Sequence, residues 1–188
     1  NTLRATAGFG YQAFAKTSFF GELYYGQTAT APNYEAPKNP HVAFIGGFVG
    51  ARGSFTEKLT GVVKAGYEDR EFSDHTPVPS SPVVDVSLGY RLSDKTALAL
   101  TYARLHEVSI QFAKESYTAN SVTFQLNQAL GGTGRWRAAV GGRYGMFEYN
   151  NAAGSGASQY DQYSANFGLA YQVQLWLNVS LGYSFDSV

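Results

Sequence analysis

The stretch Leu175-Trp-Leu-Asn-Val-Ser-Leu-Gly-Tyr-Ser-Phe-Asp186 decides the fold. Leu175, Leu177, Val179, Leu181, Tyr183 and Phe185 fall on one side of an extended chain. Trp176, Asn178, Ser180, Gly182, Ser184 and Asp186 fall on the other. Just upstream, Tyr163, Ala165, Phe167, Leu169 and Tyr171 alternate with Gln162, Ser164, Asn166, Gly168, Ala170 and Gln172. The period of two returns at Leu59–Glu68 and at Val84–Arg91, and no window carries a comparable helical period. The chain is expected to be all-β with almost no helix.

Working outward, two kinds of connection separate the runs. Short polar links lie near Ala15–Ser18, Thr56–Lys58, Ser93–Lys95, Gly131–Gly134 and Val173–Gln174. Longer links lie at Thr30–His41, Ser73–Pro82, near Gln111–Ser116 and at Asn150–Ser158. All 6 prolines fall in the first two of these, where a missing N–H does no harm to a sheet. The short links recur about every 40 residues, the signature of an internal repeat of one hairpin. Five hairpins, hence ten strands, are expected.

Composition narrows the setting. The 188 residues carry 14 Lys+Arg against 14 Asp+Glu, so no basic excess is available for nucleic acid, and no nucleic-acid partner is expected. Charged residues make up 15%, below the ~25% of ordinary soluble domains, while aromatics also reach 15%. With no Cys there is neither disulfide framework nor thiolate chemistry. No run of about 18 apolar residues supports a transmembrane helix. The alternating runs extend for about 11–14 residues, longer than the ~5–6 typical of soluble strands and sufficient to cross a bilayer. Their polar side is Ser, Thr, Gly, Asn and Gln with isolated charges, which suits a confined aqueous lumen. Aromatics gather toward strand ends in the pairs Tyr24 and Tyr25, Tyr67 and Phe72, Tyr144 and Phe147, and Tyr183 and Phe185, as expected of interfacial girdles. The expected architecture is an antiparallel up-and-down transmembrane β-barrel, one domain over 1–188. A soluble lipocalin-like barrel or repeat sandwich remains the alternative, because alternation does not say which face is outside.

Three segments share one phrase: Gly50-Ala-Arg-Gly-Ser-Phe-Thr-Glu-Lys-Leu-Thr-Gly-Val-Val-Lys-Ala-Gly-Tyr-Glu-Asp-Arg-Glu-Phe72, Ser87-Leu-Gly-Tyr-Arg-Leu-Ser-Asp-Lys-Thr-Ala-Leu-Ala-Leu-Thr-Tyr102 and Phe167-Gly-Leu-Ala-Tyr-Gln-Val-Gln-Leu-Trp-Leu-Asn-Val-Ser-Leu-Gly-Tyr183. A strand ends near an aromatic, a short polar turn follows, and an aliphatic alternating strand leads on to an aromatic. This resembles the hairpin phrase of Gram-negative outer-membrane β-barrels, most closely the type 2 β-barrel porin group, over nearly the whole chain. The resemblance implies a bacterial outer-membrane location, short turns periplasmic, long loops extracellular, and outer-membrane lipid as a partner. It supplies no catalytic motif. Such barrels usually end on an aromatic, whereas this chain ends Phe185-Asp186-Ser187-Val188, and both termini fall on the long-loop side. One further strand at each end, giving at least twelve, is therefore expected.

Catalytic patterns are absent. His41, His75 and His106 are far apart and form no metal-ligand spacing, Gly154-Ser155-Gly156 is no nucleophile elbow, and Gly131-Gly132-Thr133-Gly134 lacks the Lys-Ser/Thr of a phosphate loop. Neither enzyme activity nor a cofactor nor a metal is expected. The charged lining is the one candidate site: Arg4, Glu22, Lys64, Glu68, Arg70, Asp85, Arg91, Arg135, Arg137 and Arg143, with Glu22 the least certain in facing. Seven basic against three acidic residues favour anionic small solutes by their local potential, unless the charges merely pair across strands and fill a narrow lumen. Two functions follow: a passive or weakly anion-selective channel, or a scaffold barrel binding other subunits of an envelope export or secretion complex.

Overall fold

The computed structural model describes residues 2–29, 41–72, 80–108, 116–150 and 159–188. Ten strands follow one another: β1 Thr2–Phe14, β2 Thr17–Ala29, β3 His41–Ser54, β4 Leu59–Phe72, β5 Ser81–Ser93, β6 Thr96–Val108, β7 Ser116–Leu130, β8 Trp136–Asn150, β9 Gln159–Gln174 and β10 Leu177–Ser187. Each pairs antiparallel with the next in a single up-and-down sheet, with β1 and β10 at its edges and no helix among the described residues. The fold class read from alternation is the observed one, and the sheet is not closed by β1–β10 pairing.

Strand lengths run from 11 to 16 residues. The paired rows climb steadily through the sheet. Tyr11, near the turn end of β1, leads through Phe19, Ala51, Val63, Val86, Tyr102, Val122, Tyr144 and Tyr163 to Ser187, the last residue of β10. A row that begins at one end of the strands and finishes at the other is the progressive stagger that tilted barrel strands require.

Local chemistry sets the short turns. In the connection from β7 to β8, Gly131 and Gly134 hold φ of 72° and 64°, which a side chain would disfavour. Between β3 and β4 the Thr56 hydroxyl accepts from the amides of Lys58 (3.3 Å) and Leu59 (2.9 Å). The last turn corrects the expectation: Val173 and Gln174 continue β9, and the turn is Leu175–Trp176, 94% and 78% exposed. Two apolar residues carry no polar turn signal, so the neighbouring Gln pair drew the boundary too early. Pro82 likewise lies inside β5, paired opposite Tyr67 one residue from the strand start, a place proline tolerates. The bodies of the four long links, with His75 and Gly154–Gly156, lie outside the described residues.

Candidate functional site

The pairing sorts every described strand residue onto one of two faces. On the first, the middle of each strand is apolar: Leu3 and Phe9, Leu23, Ile45 and Val49, Val63, Leu100, Phe124, Val140, Phe167, Val179 and Leu181 are all exposed. Charge occurs on this face only toward the long links, at Asp69, Glu71, Arg104, Glu148 and Asp161. Between charge and apolar centre stands a row of tyrosines. Tyr25, Tyr67, Tyr102, Tyr144 and Tyr183 lie one on each strand leaving a short turn, six or eight residues after it begins. A second aromatic row borders the turns: Tyr11, Phe19, Tyr90, Trp136 and Tyr171. The aromatics lying between, Phe9, Phe124 and Phe167, have no polar atom.

Two members of the expected girdle do not belong to it. Tyr24 is 3% exposed on the opposite face, its ring over Gly46 and stacked on Phe48 at 5.4 Å. Phe147 also points to that face, stacked on Tyr160 at 4.6 Å. Tyr24 and Tyr25 are one residue apart and Tyr144 and Phe147 three, so in each of these two pairs only one side chain can face outward, whereas Tyr183 and Phe185, two apart, both do. Phe72's side chain lies outside the described residues.

The second face carries the expected charged residues Arg4, Glu22, Lys64, Glu68, Arg70, Asp85, Arg91, Arg137 and Arg143. Arg135 sits just before β8, where its carbonyl accepts from the Gln172 amide at 2.9 Å. Sequence reasoning missed three more, Arg52, Glu107 and Asp186. Asp186 was legible, since it alternates with Ser184 and Gly182, while Arg52 lies among the small residues Gly50-Ala-Arg-Gly-Ser54 and Glu107 lies in Arg104-Leu-His-Glu-Val108, where polar and apolar residues fall on both faces.

The pairing of these charges divides the face in two. Across β1–β6 the acids are spoken for. Arg4 Nη2 meets Glu22 Oε1 at 3.1 Å, Lys64 Nζ meets Asp85 Oδ2 at 3.2 Å, and Arg70 Nε meets Glu68 Oε1 at 2.6 Å. Glu68 also accepts the Tyr24 hydroxyl at 2.7 Å, and Glu107 stands 3.9 Å from Arg70 Nη1. Four cations on β1–β4 also face rings: Arg4 over Tyr24 at 3.9 Å, Lys64 over Phe48 at 4.8 Å, Arg52 over Phe20 at 5.4 Å and Arg70 over Phe44 at 5.6 Å. This half is filled with large side chains. Asp85 thus pairs across strands with Lys64, not along β5 with Arg91.

The other half is bare. From β6 to β10 the same face is lined, toward the short turns, by Ala97, Ala99, Ala139, Gly141, Gly168 and Gly182 with amides and hydroxyls between them, and large rings gather only at the long-link end, where Tyr117, Phe147, Tyr149 and Tyr160 pack together. Arg91, Arg135, Arg137 and Arg143 make no ion pair with any described residue, and Asp186 shares Arg143's row only at two strands' remove, through Ser164. Among the described residues no three His, Asp or Glu side chains come together as a metal cluster. No family model matches the chain, and no curated protein is similar to it in sequence.

Proposed function

We propose that the sheet is the wall of a bacterial outer-membrane β-barrel whose polar face lines an aqueous, anion-favouring lumen. One observation carries this: a charge-free apolar band, bounded on both sides by tyrosine and tryptophan, on one face of a staggered up-and-down sheet. Tyr and Trp favour the headgroup level because one end is apolar and the other hydrogen-bonds, whereas Phe has no such preference. From Trp136 to Tyr144 is eight residues, about 26 Å along the strand and about 20 Å along the axis at a tilt near 40°, close to the ~25 Å apolar band of such barrels. A soluble sandwich would bury this face against a second layer, and none is present among the described residues. In a bilayer the free N–H and C=O groups along β1 and β10 must be paired, so this reading requires both edges to be taken up in a closed wall.

Anion preference follows from the charge pairing. Three acids are cancelled by Arg4, Lys64 and Arg70, and Arg52 lies over the Phe20 ring, whereas Arg91 near the end of β5, Arg135 just before β8, and Arg137 and Arg143 on β8 face neither an acid nor a ring among the described residues, so their field reaches into open solvent. The test is the reversal potential of the purified barrel in a planar bilayer under a salt gradient. An anion-selective current is expected, weakened or inverted by Arg137→Glu with Arg143→Glu. A cation-selective wild type refutes the reading. The filled half of the polar face favours a second reading, a scaffold barrel within an envelope assembly, and absence of conductance would support it. Periplasmic short turns, extracellular long links and kinship with the type 2 β-barrel porins belong to the same proposal.

A further inference from the structure

Within this lumen, on which the inference rests, one place is built more specifically than a diffuse basic field. At the turn end of the bare half lies a cavity of about 500 Å³, lined among others by Arg91 on β5 and Arg137 on β8. Its lining includes side chains of one carbon or none, Ala97, Ala139, Gly168 and Gly182, which leave room on the polar face between β5 and β10. Arg91 and Arg137 are three strands apart and Arg137 is offset by two residues from Ala139 in Arg91's row, about 16 Å at the backbone, a span that two side chains of arginine length bridge by reaching toward one solute from opposite sides. Asn127 stands between them, in one row with Arg91, Ala97 and Ala139. Its Oδ1 accepts from Gln125 Nε2 at 3.4 Å, which leaves its amide NH2 as the donor open to a solute. At the rim, Lys95 donates to the Gly131 carbonyl at 3.1 Å and adds a third cation, against the single carboxylate of Asp94.

We infer that this cavity binds a small doubly charged oxyanion, a phosphate or a dicarboxylate, held between Arg91 and Arg137 with Asn127 as a neutral donor. Guanidinium groups suit such ligands because their planar fork matches two oxygens at once. A singly charged ion such as chloride would engage one arm only.

The experiment is calorimetric titration of the full refolded chain in detergent at low salt, with inorganic phosphate, succinate and chloride as probes. Saturable one-to-one binding of phosphate or succinate is expected, with chloride at least tenfold weaker. Preference for phosphate assigns both arginines to one tetrahedral group, and preference for succinate assigns one to each carboxylate. Arg91→Gln and Arg137→Gln should each weaken binding at least tenfold, while Lys16→Gln, removing equal charge at another turn, should change it less than twofold. Equal losses in all three variants, or no saturable binding, overturn the site. Retained heat-modifiable migration and β circular dichroism separate misfolding from lost affinity, and Arg91→Lys, which keeps the charge but not the fork, tests a variant closer to wild type. The two proposals fail separately. An anion-selective current without saturable binding refutes the site and leaves the channel, and binding without conductance does the reverse.

Discussion

Replacing Leu181 by arginine probes the outward face where depth and facing separate most cleanly. Leu181 is 71% exposed and pairs with Leu169, which continues to Ala138. It lies four residues into β10, about 13 Å along the strand and about 10 Å along the axis at a tilt near 40°, close to the middle of a ~25 Å band. Arginine at such a depth costs about 2–4 kcal/mol, a factor of ~30 to ~900 in the folding equilibrium. Ser180 is at the same depth on the other face, in a row with Ala170 and Arg137. An arginine there stays in water. Its repulsion from Arg137, about 10 Å away across two strands, costs about 0.4 kcal/mol at the dielectric of water. Urea-titrated folding into dilauroyl phosphatidylcholine vesicles should therefore show a large loss for Leu181→Arg and a loss below about 1 kcal/mol for Ser180→Arg. Equal losses would refute the face assignment.

Removing the buried Glu68 by Glu68→Ala strips the partly buried Arg70 and the Tyr24 hydroxyl of their shared partner and should cost about 3 kcal/mol in the same titration, whereas Glu22→Ala, breaking a half-exposed pair with Arg4, should cost under about 1 kcal/mol. A ranking reversed between the two would contradict the filled half. Gly46→Val should cost about 1–3 kcal/mol, since a Cβ there would stand 2.5 Å from the Tyr24 hydroxyl and 2.8 Å from the Tyr67 carbonyl; an unchanged folding midpoint would show that the ring does not pack over this glycine. The anion preference should fall steeply between 0.1 M and 1 M salt, as the screening length shrinks from about 10 Å to about 3 Å, and a preference independent of salt would remove the four free arginines as its cause.

What the sequence discloses and what it hides divide along physical lines. Alternation is local, so strand existence, hairpin number and the facing of Leu181, Phe167 or Val63 can be read from neighbours alone. The turn at Leu175–Trp176 was missed because its residues are apolar, and turn chemistry is the only local sign of a turn. Tyr24 was assigned to the girdle because Tyr25 beside it belongs there, and the weak alternation of β2 did not decide between them. Charge pairing is a matter of register. That Asp85 meets Lys64 and not Arg91 depends on which residue of β4 lies opposite β5, which no single strand encodes. The division into a filled and a bare half follows from the same non-local pairing, and so do the four arginines left over.

The central claim is that one face meets lipid and the other meets water, and alternate accessibility along β9 tests it most directly. The chain has no cysteine, so single cysteines at positions 163 to 171 can carry a spin label without background. Relaxation by oxygen, which concentrates in lipid, is compared with relaxation by a water-soluble nickel chelate in reconstituted vesicles. The account predicts oxygen-dominated relaxation at Tyr163, Ala165, Phe167, Leu169 and Tyr171 and nickel-dominated relaxation at Ser164, Asn166, Gly168 and Ala170, with a period of two. Nickel accessibility on both faces, or the opposite phase, would contradict it.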